Sequence, residues 1–293
     1  MAKNQHINFG IPGWSMKERM EALFEKAGYD LKINESLGTA KIDDSEIICF
    51  FDRAKEIAPL IEKGALDGGI ITKTAALETS SKTKELISLG TLYPFSRETK
   101  LVLGAPEESA IKTIKNLEGK RIITRTPEIT KTFLKKHNIK ASVEYSDGNN
   151  QAKVRSIADA LVEYENSDNS FAANNLRVIE VIMKDEVVIA VNPETLKNKW
   201  KLEKIENLGM LLKSARLAEE MVGLVLHASN GILKEVFDIL PALKKPTVTP
   251  LRGENWFDIL TVVNKQDLRN LLPKLKEIGC TDMVEFPLNK VVL

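Results

Sequence analysis

The sequence predicts an α/β fold that ends in a ferredoxin-like βαββαβ unit. Short β-rich runs alternate with amphipathic stretches ahead of Asn207, and the rhythm changes after it. The chain of 293 residues also exceeds one ordinary domain, and its 43% hydrophobic and 28% charged side chains are those of a globular protein with real cores.

Strands are read at residues 6–11, 47–51, 101–104, 121–124, 142–145, 178–183 and 186–191. Met16, Met20, Leu23, Phe24 and Ala27 recur at helical spacing, Ser15 and Glu18 suit a capping box, and Gly28 suits a stop. A helix over 15–27 follows. Residues 53–63, 128–137 and 156–164 read as further helices, the last with Ile157, Leu161 and Tyr164 on one face. From Asn207, a polar helix with Leu211, Leu212, Ala215 and Ala218 leads to a strand at 223–227. A helix carrying Ile232, Leu233, Val236, Phe237 and Leu240 comes next. Strands at 247–251 and 257–263, a helix at 265–278 and a last strand at 282–292, broken by Pro287, complete the βαββαβ order. Pro273 opposes the 265–278 helix, since an interior proline costs ~3 kcal/mol, but Leu268, Leu271, Leu272, Leu275 and Ile278 share one stripe.

The 42 basic and 41 acidic side chains nearly cancel, so affinity for phosphates must come from local clusters, and no nucleic-acid partner is expected. Cys49 and Cys280 stand in apolar surroundings and read as reduced packing thiols. His6, His137 and His227 are scattered, which argues against a built-in zinc or iron site. The amino terminus shows no secretory core and no run reaches the ~18 apolar residues of a membrane span, so a cytoplasmic protein without a membrane partner is expected. Neither a GxSxG elbow nor a P-loop signature occurs.

One polar segment, Asn166-Ser-Asp-Asn-Ser170, follows Glu163 and Glu165. Its residue types tolerate left-handed backbone and cap helices, so it is either an anion-binding nest or an ordinary surface turn with an N-cap. Glu163, Glu165 and Asp168 add negative charge where a phosphate would sit.

Around this segment, Ala158-Asp159, Ser170, Asn174 and Leu176-Arg177 fall in register with a phosphoribosyl pyrophosphate loop, and Val178-Ile-Glu-Val-Ile182 continues as the strand after it. Leu240-Pro-Ala-Leu-Lys-Lys-Pro-Thr-Val-Thr-Pro-Leu251, Trp256 and Leu275-Lys-Glu-Ile-Gly279 form a second, more specific signature. Ile11-Pro12, Arg53-Ala-Lys-Glu-Ile57, Asp67-Gly-Gly-Ile70 with Glu78, and Arg121-Ile-Ile-Thr-Arg-Thr-Pro127 extend the likeness over nearly the whole chain. The chain thereby resembles the long-form ATP phosphoribosyltransferase family. The resemblance implies a two-lobed catalytic region like a periplasmic binding protein, with lobe I over 1–95 and 180–206, lobe II over 96–179, and the site in the cleft. A ferredoxin-like regulatory domain over 207–293 is implied as well. So are transfer of phosphoribosyl from phosphoribosyl pyrophosphate to ATP with Mg²⁺ in histidine biosynthesis, histidine as allosteric ligand, and a homo-oligomer, dimer or hexamer.

Several ligand positions depart from the family pattern. Pro12-Gly13-Trp14-Ser15 stands for Pro-Lys-Gly-Arg, Thr72-Lys-Thr74 for Gly-x-Asp, Gly148-Asn-Asn-Gln151 for Gly-Ser-Val-Glu, Glu163 for aspartate, and Asn166-Ser-Asp168 for Ser-Thr-Gly. A lost glycine restricts how closely backbone approaches a phosphate. In a working transferase, Glu163 and Glu165 are the candidate catalytic carboxylates, facing ribose hydroxyls, with Glu163 the candidate for Mg²⁺ carried by the substrate. Arg53, Lys55, Thr124, Arg125, Asn166, Ser167, Asp168, Asn169 and Ser170 would hold the substrates, with Lys17 and Lys73 adding charge. Pro12, Gly13, Trp14, Ser15, Thr72, Thr74 and Gln151 would line the cleft. The alternative is a catalytically impaired relative that serves as a regulatory subunit or small-molecule sensor.

Overall fold

Residues 5–91, 99–165, 170–241, 245–253 and 255–293 are described by the structure, a computed structural model. The chain starts with β1 (Ile7–Pro12), α1 (Lys17–Ala27), a hairpin of β2 (Lys32–Asn34) and β3 (Thr39–Lys41), β4 (Ile47–Asp52), α2 (Ala54–Glu62), β5 (Gly68–Thr72), α3 (Lys73–Glu78) and β6 (Lys84–Gly90). There follow β7 (Thr99–Pro106), β8 (Arg121–Thr124), α4 (Pro127–Lys136), β9 (Ser142–Tyr145), α5 (Asn150–Ile157), β10 (Ala160–Glu165), α6 (Ser170–Ala173) and β11 (Leu176–Asp185). β12 (Val187–Val191) and α7 (Lys199–Ala218) lead to β13 (Met221–Ser229), α8 (Leu233–Ile239), β14 (Thr247–Pro250), β15 (Trp256–Asn264), α9 (Lys265–Glu277) and β16 (Thr281–Pro287).

Two five-stranded sheets form the lobes, in the orders β4-β1-β5-β12-β6 and β11-β7-β10-β8-β9. In the first, β4, β1 and β5 run parallel; in the second, β10, β8 and β9 do. Strands covered on both faces read as unbroken apolar runs, as in the fully buried Val187–Val191. That effect explains a correction to the sequence reading. The expected helix at 156–164 does not exist, because α5 ends at Ile157 and Ala160–Glu165 is a strand. Ala160, Leu161, Val162 and Glu163 are all buried, and a short doubly covered strand cannot be told from a buried helix by periodicity. β11 stays paired with β7 to Asp185, and the chain returns to the first sheet only with β12.

The chain forms two compact units, Met1–Ala22 with Tyr29–Gly209, and Leu23–Gly28 with Met210–Leu293. The helix read from Asn207 starts earlier, at Lys199. In the second unit the strand order β14-β15-β13-β16, antiparallel throughout, is that of a ferredoxin-like sheet. Val222, Leu224, Leu226 and Ala228 alternate along β13 and meet Val236 of α8 and Leu268, Leu271 and Leu275 of α9. Burial of three leucines at about 1.5–3 kcal/mol each outweighs the ~3 kcal/mol cost of Pro273, which lies exposed inside α9. The same unit holds Leu23–Gly28 through Lys290, whose Nζ donates to the Ala27 carbonyl at 3.2 Å, and through the Lys26–Glu219 ion pair at 3.3 Å. No helix among the described residues is long and apolar enough to cross a membrane.

Candidate functional site

In the first sheet the chain runs from β1 outward to β4, then back across to β5, so the strand order reverses between β1 and β5. Ligands of α/β sheets collect at the carboxyl ends of strands at such a reversal. Pro12 lies there opposite Asp52. Gly13 N–H donates to the Asp52 carbonyl at 3.0 Å, and a β-carbon on Gly13 would fall inside the Phe51 ring. Trp14 follows with φ 56°, its ring centroid 5.9 Å from that of Phe51 and 5.8 Å from the Arg53 guanidinium carbon. Arg53 precedes α2, and Lys55 sits in its first turn. Thr72 caps α3, its Oγ1 accepting from Ala75 N–H at 3.0 Å.

The second sheet repeats the arrangement. The chain passes from β8 outward to β9 and back to β10, so its reversal lies between β8 and β10, at Thr124–Arg125 and the end of β10, with Ser146–Gly148 alongside at the end of β9. Arg125 Nε lies 3.1 Å from Asp147 Oδ1 and 3.9 Å from Glu163 Oε2. Strand alternation sends Leu161, Glu163 and Glu165 to one face of β10 and Tyr164 to the other. Glu163, only 8% exposed, accepts from Asn150 Nδ2 at 3.0 Å. Asn150 is 1% exposed, also donates to the Ser146 carbonyl at 2.9 Å, and leaves its Oδ1 without a partner. Glu165 is half-buried at the end of β10.

Beyond β10, Gln151 Nε2 donates to Ser170 Oγ at 3.1 Å, and Asn174 Nδ2 donates to Gln151 Oε1 at 3.2 Å. Gly104 on β7 makes room for the buried Phe171 ring, which seats α6 on the sheet. The carboxyl-terminal arm of the polar segment is therefore anchored. Asn166, Ser167, Asp168 and Asn169 lie outside the described residues, as does the Ser15 side chain.

Three links join the two strand-end rims. Lys55 Nζ donates to the Arg125 carbonyl at 2.7 Å, so this lysine ties the start of α2 to the end of β8. Glu78 Oε2 accepts from the N–H groups of Glu128 and Ile129, each at 3.1 Å, capping α4 from α3. Thr74 Oγ1 lies 2.6 Å from the Tyr164 hydroxyl and donates to Asp185 Oδ2 at 2.6 Å, while Thr74 N–H donates to Asp185 Oδ1 at 3.0 Å. Burial raises the Asp185 carboxyl above its ordinary range, opposed by the Thr74 and Tyr164 hydrogen bonds. Lys73 is engaged elsewhere, 2.9 Å from Glu186 and 3.4 Å from Glu85, and the Glu186 bond raises its pKa. Thr124 Oγ1 accepts from Thr126 N–H at 3.0 Å, so Thr124 shapes the β8 end from within the core. Burial pushes the Cys49 thiol up to about 12, as suits a packing residue.

Sequence reasoning assigned no role to Asn150, Tyr164 or Asp185. Asn150 stood inside the quoted Gly148-Asn-Asn-Gln151 run, which was its only signal; Tyr164 was placed on a helix face, and Asp185 carried no local pattern.

The ATP phosphoribosyltransferase family model matches residues 53–214, and the model of the HisG C-terminal domain matches 218–290. The chain belongs to the ATP phosphoribosyltransferase family. An ATP phosphoribosyltransferase of Thermodesulfovibrio yellowstonii is 38% identical over 290 residues, covering 99% of both chains. One from Desulforudis audaxviator is 35% identical over 98% of this chain and 99% of its own. Among solved structures, the ATP phosphoribosyl transferase (HisG:HisZ) complex from Thermotoga maritima shares the fold, with a TM-score of 0.59 at 18% identity, over 71% of this chain and 98% of that one. The family's two-lobed α/β region and carboxyl-terminal ferredoxin-like domain are thus both present.

Proposed function

We propose that this chain is a working ATP phosphoribosyltransferase, moving the phosphoribosyl group of phosphoribosyl pyrophosphate onto ATP and releasing pyrophosphate in histidine biosynthesis. The likeness over 99% of the chain to a relative that bears this name carries the reading, and favours it over a regulatory subunit. The geometry is suited to it. Glu163, held by Asn150 at the end of β10, presents a fixed acceptor for ribose hydroxyls, and Arg125 at the adjoining reversal brings positive charge for phosphate oxygens.

Mg²⁺ enters this reading as the companion of the substrate. Among the described residues no cluster of three His, Cys, Asp or Glu side chains is placed to cage a metal, whereas Mg²⁺ is ordinarily held by one or two carboxylates plus phosphates. The Glu163 carboxylate and the unpartnered Asn150 Oδ1 are oxygen donors of that kind. Bound with phosphoribosyl pyrophosphate, the ion would neutralise phosphate charge near the carboxylates. Histidine is the proposed ligand of the carboxyl-terminal unit, and a cytoplasmic dimer or hexamer the proposed assembly.

Pyrophosphate release from ATP and phosphoribosyl pyrophosphate tests the activity; no release with both substrates present would overturn it. Titration of phosphoribosyl pyrophosphate into wild type and Asp168→Gly, with and without Mg²⁺, tests the loop. Weak binding without Mg²⁺ is expected, with a gain in Asp168→Gly, which removes a charge and a β-carbon. Equally tight binding in all four titrations would remove the loop from the phosphate site. Calorimetry of the full chain with histidine tests the regulatory ligand, and an absence of heat would exclude it.

A further inference from the structure

Trp14 is the cleft residue to which the transfer reading gives no task. Its backbone is left-handed at φ 56°, a conformation that a β-carbon disfavours and that is an outlier for a bulky side chain. Such outliers persist where surrounding structure holds them, and they gather at ligand sites. Here the holding structure is visible. Gly13 lets the turn pass over the Phe51 ring, and Phe51 and Arg53 brace the indole. Core packing does not account for the arrangement, because Trp14 remains 48% exposed.

Place and chemistry supply a task. Trp14 and Arg53 follow the carboxyl ends of the neighbouring strands β1 and β4, and β1 borders the strand-order reversal of the first sheet, which lies between β1 and β5. No carboxylate among the described residues pairs with the Arg53 guanidinium, whose side-chain contact is with the Trp14 ring. An exposed indole beside an uncommitted guanidinium offers a stacking surface next to a positive charge, which matches a nucleobase joined to a phosphate chain. Resting on the transfer reading above, we propose that Trp14 is the platform on which the purine ring of the nucleotide substrate stacks, with Arg53 receiving its phosphates.

Trp14→Gly is the decisive variant, since glycine adopts φ 56° freely and the fold is not put at risk. Trp14→Phe keeps an aromatic face. The full chain is titrated calorimetrically with ATP, inorganic triphosphate and phosphoribosyl pyrophosphate. Trp14→Gly should weaken ATP roughly tenfold and leave the two base-free ligands unchanged, with Trp14→Phe recovering most of the loss. Unchanged ATP affinity in Trp14→Gly, with wild type binding ATP, would overturn the platform alone. Equal weakening of ATP and triphosphate would also overturn it, since the indole would then act through Arg53. A wild type that binds no ATP would overturn the transfer reading together with the platform.

Discussion

The Tyr164 hydroxyl lies 2.6 Å from Thr74 Oγ1, so the strand that carries Glu163 is fastened through its opposite face to the start of α3. A single oxygen makes this link between the lobes. Removing it in Tyr164→Phe leaves the ring in place and Thr74 still bonded to Asp185, but takes away the hydroxyl's bonds to both Thr74 and Asp185, so the loss should be about 1–3 kcal/mol. Urea unfolding should show a lower midpoint with an unchanged slope. An unchanged midpoint would mean that the hydroxyl contributes nothing to holding the lobes.

Asn150 controls the setting of Glu163. Asn150→Ala strips a donor from a carboxylate that is 8% exposed and should destabilise the chain by about 1–3 kcal/mol. Asn150→Asp should do more harm, because it puts two carboxylates at hydrogen-bonding distance. Comparing both variants by unfolding and by phosphoribosyl pyrophosphate titration checks this. If Asn150→Asp were the milder change, electrostatic positioning of Glu163 would be the wrong account.

Gly13 is set by space and not by its backbone angle. Its β-carbon would overlap the Phe51 ring, which is buried and backed by the sheet, so Gly13→Ala should cost about 1–3 kcal/mol through displaced packing. Because Phe51 also braces Trp14, tryptophan emission should shift in the same variant. A variant as stable as wild type would show that Phe51 has room to move.

Legibility in the sequence followed the range of the interaction. The α2 helix, the β8 strand and the leucine stripe of α9 were readable because apolar spacing and flanking Gly or Pro act within a few residues. β10 was misread because burial on both faces erased its alternation, and Tyr164 was misplaced with it. Asn150 and Glu163 are brought together by the β8–β9–β10 turn-back, and Thr74 meets Asp185 across 111 positions. No local pattern announces such pairs. Glu163 was identified through resemblance to a loop, whereas its partner became visible only once strand order was known.

Asp185 should leave a signature in the pH dependence of stability. It is 7% exposed, and burial raises its pKa in the folded chain above the ordinary 3.8, although Thr74 and Tyr164 hydrogen bonds oppose the rise. Between 3.8 and the raised value, the folded chain therefore binds a proton that the unfolded chain does not. Stability contributed by this group must then fall as pH rises through that window, and grow as pH falls through it. Other carboxylates titrate in the same region, so the difference between wild type and Asp185→Asn isolates the effect. The variant keeps one oxygen for Thr74 and cannot titrate. On lowering the pH from neutral towards 3.8, the stability difference should move in favour of wild type, then level off below that value. Urea unfolding at a series of pH values measures it. A constant difference, or one moving in favour of Asp185→Asn on acidification, would show that the hydrogen bonds from Thr74 and Tyr164 outweigh desolvation at this carboxyl.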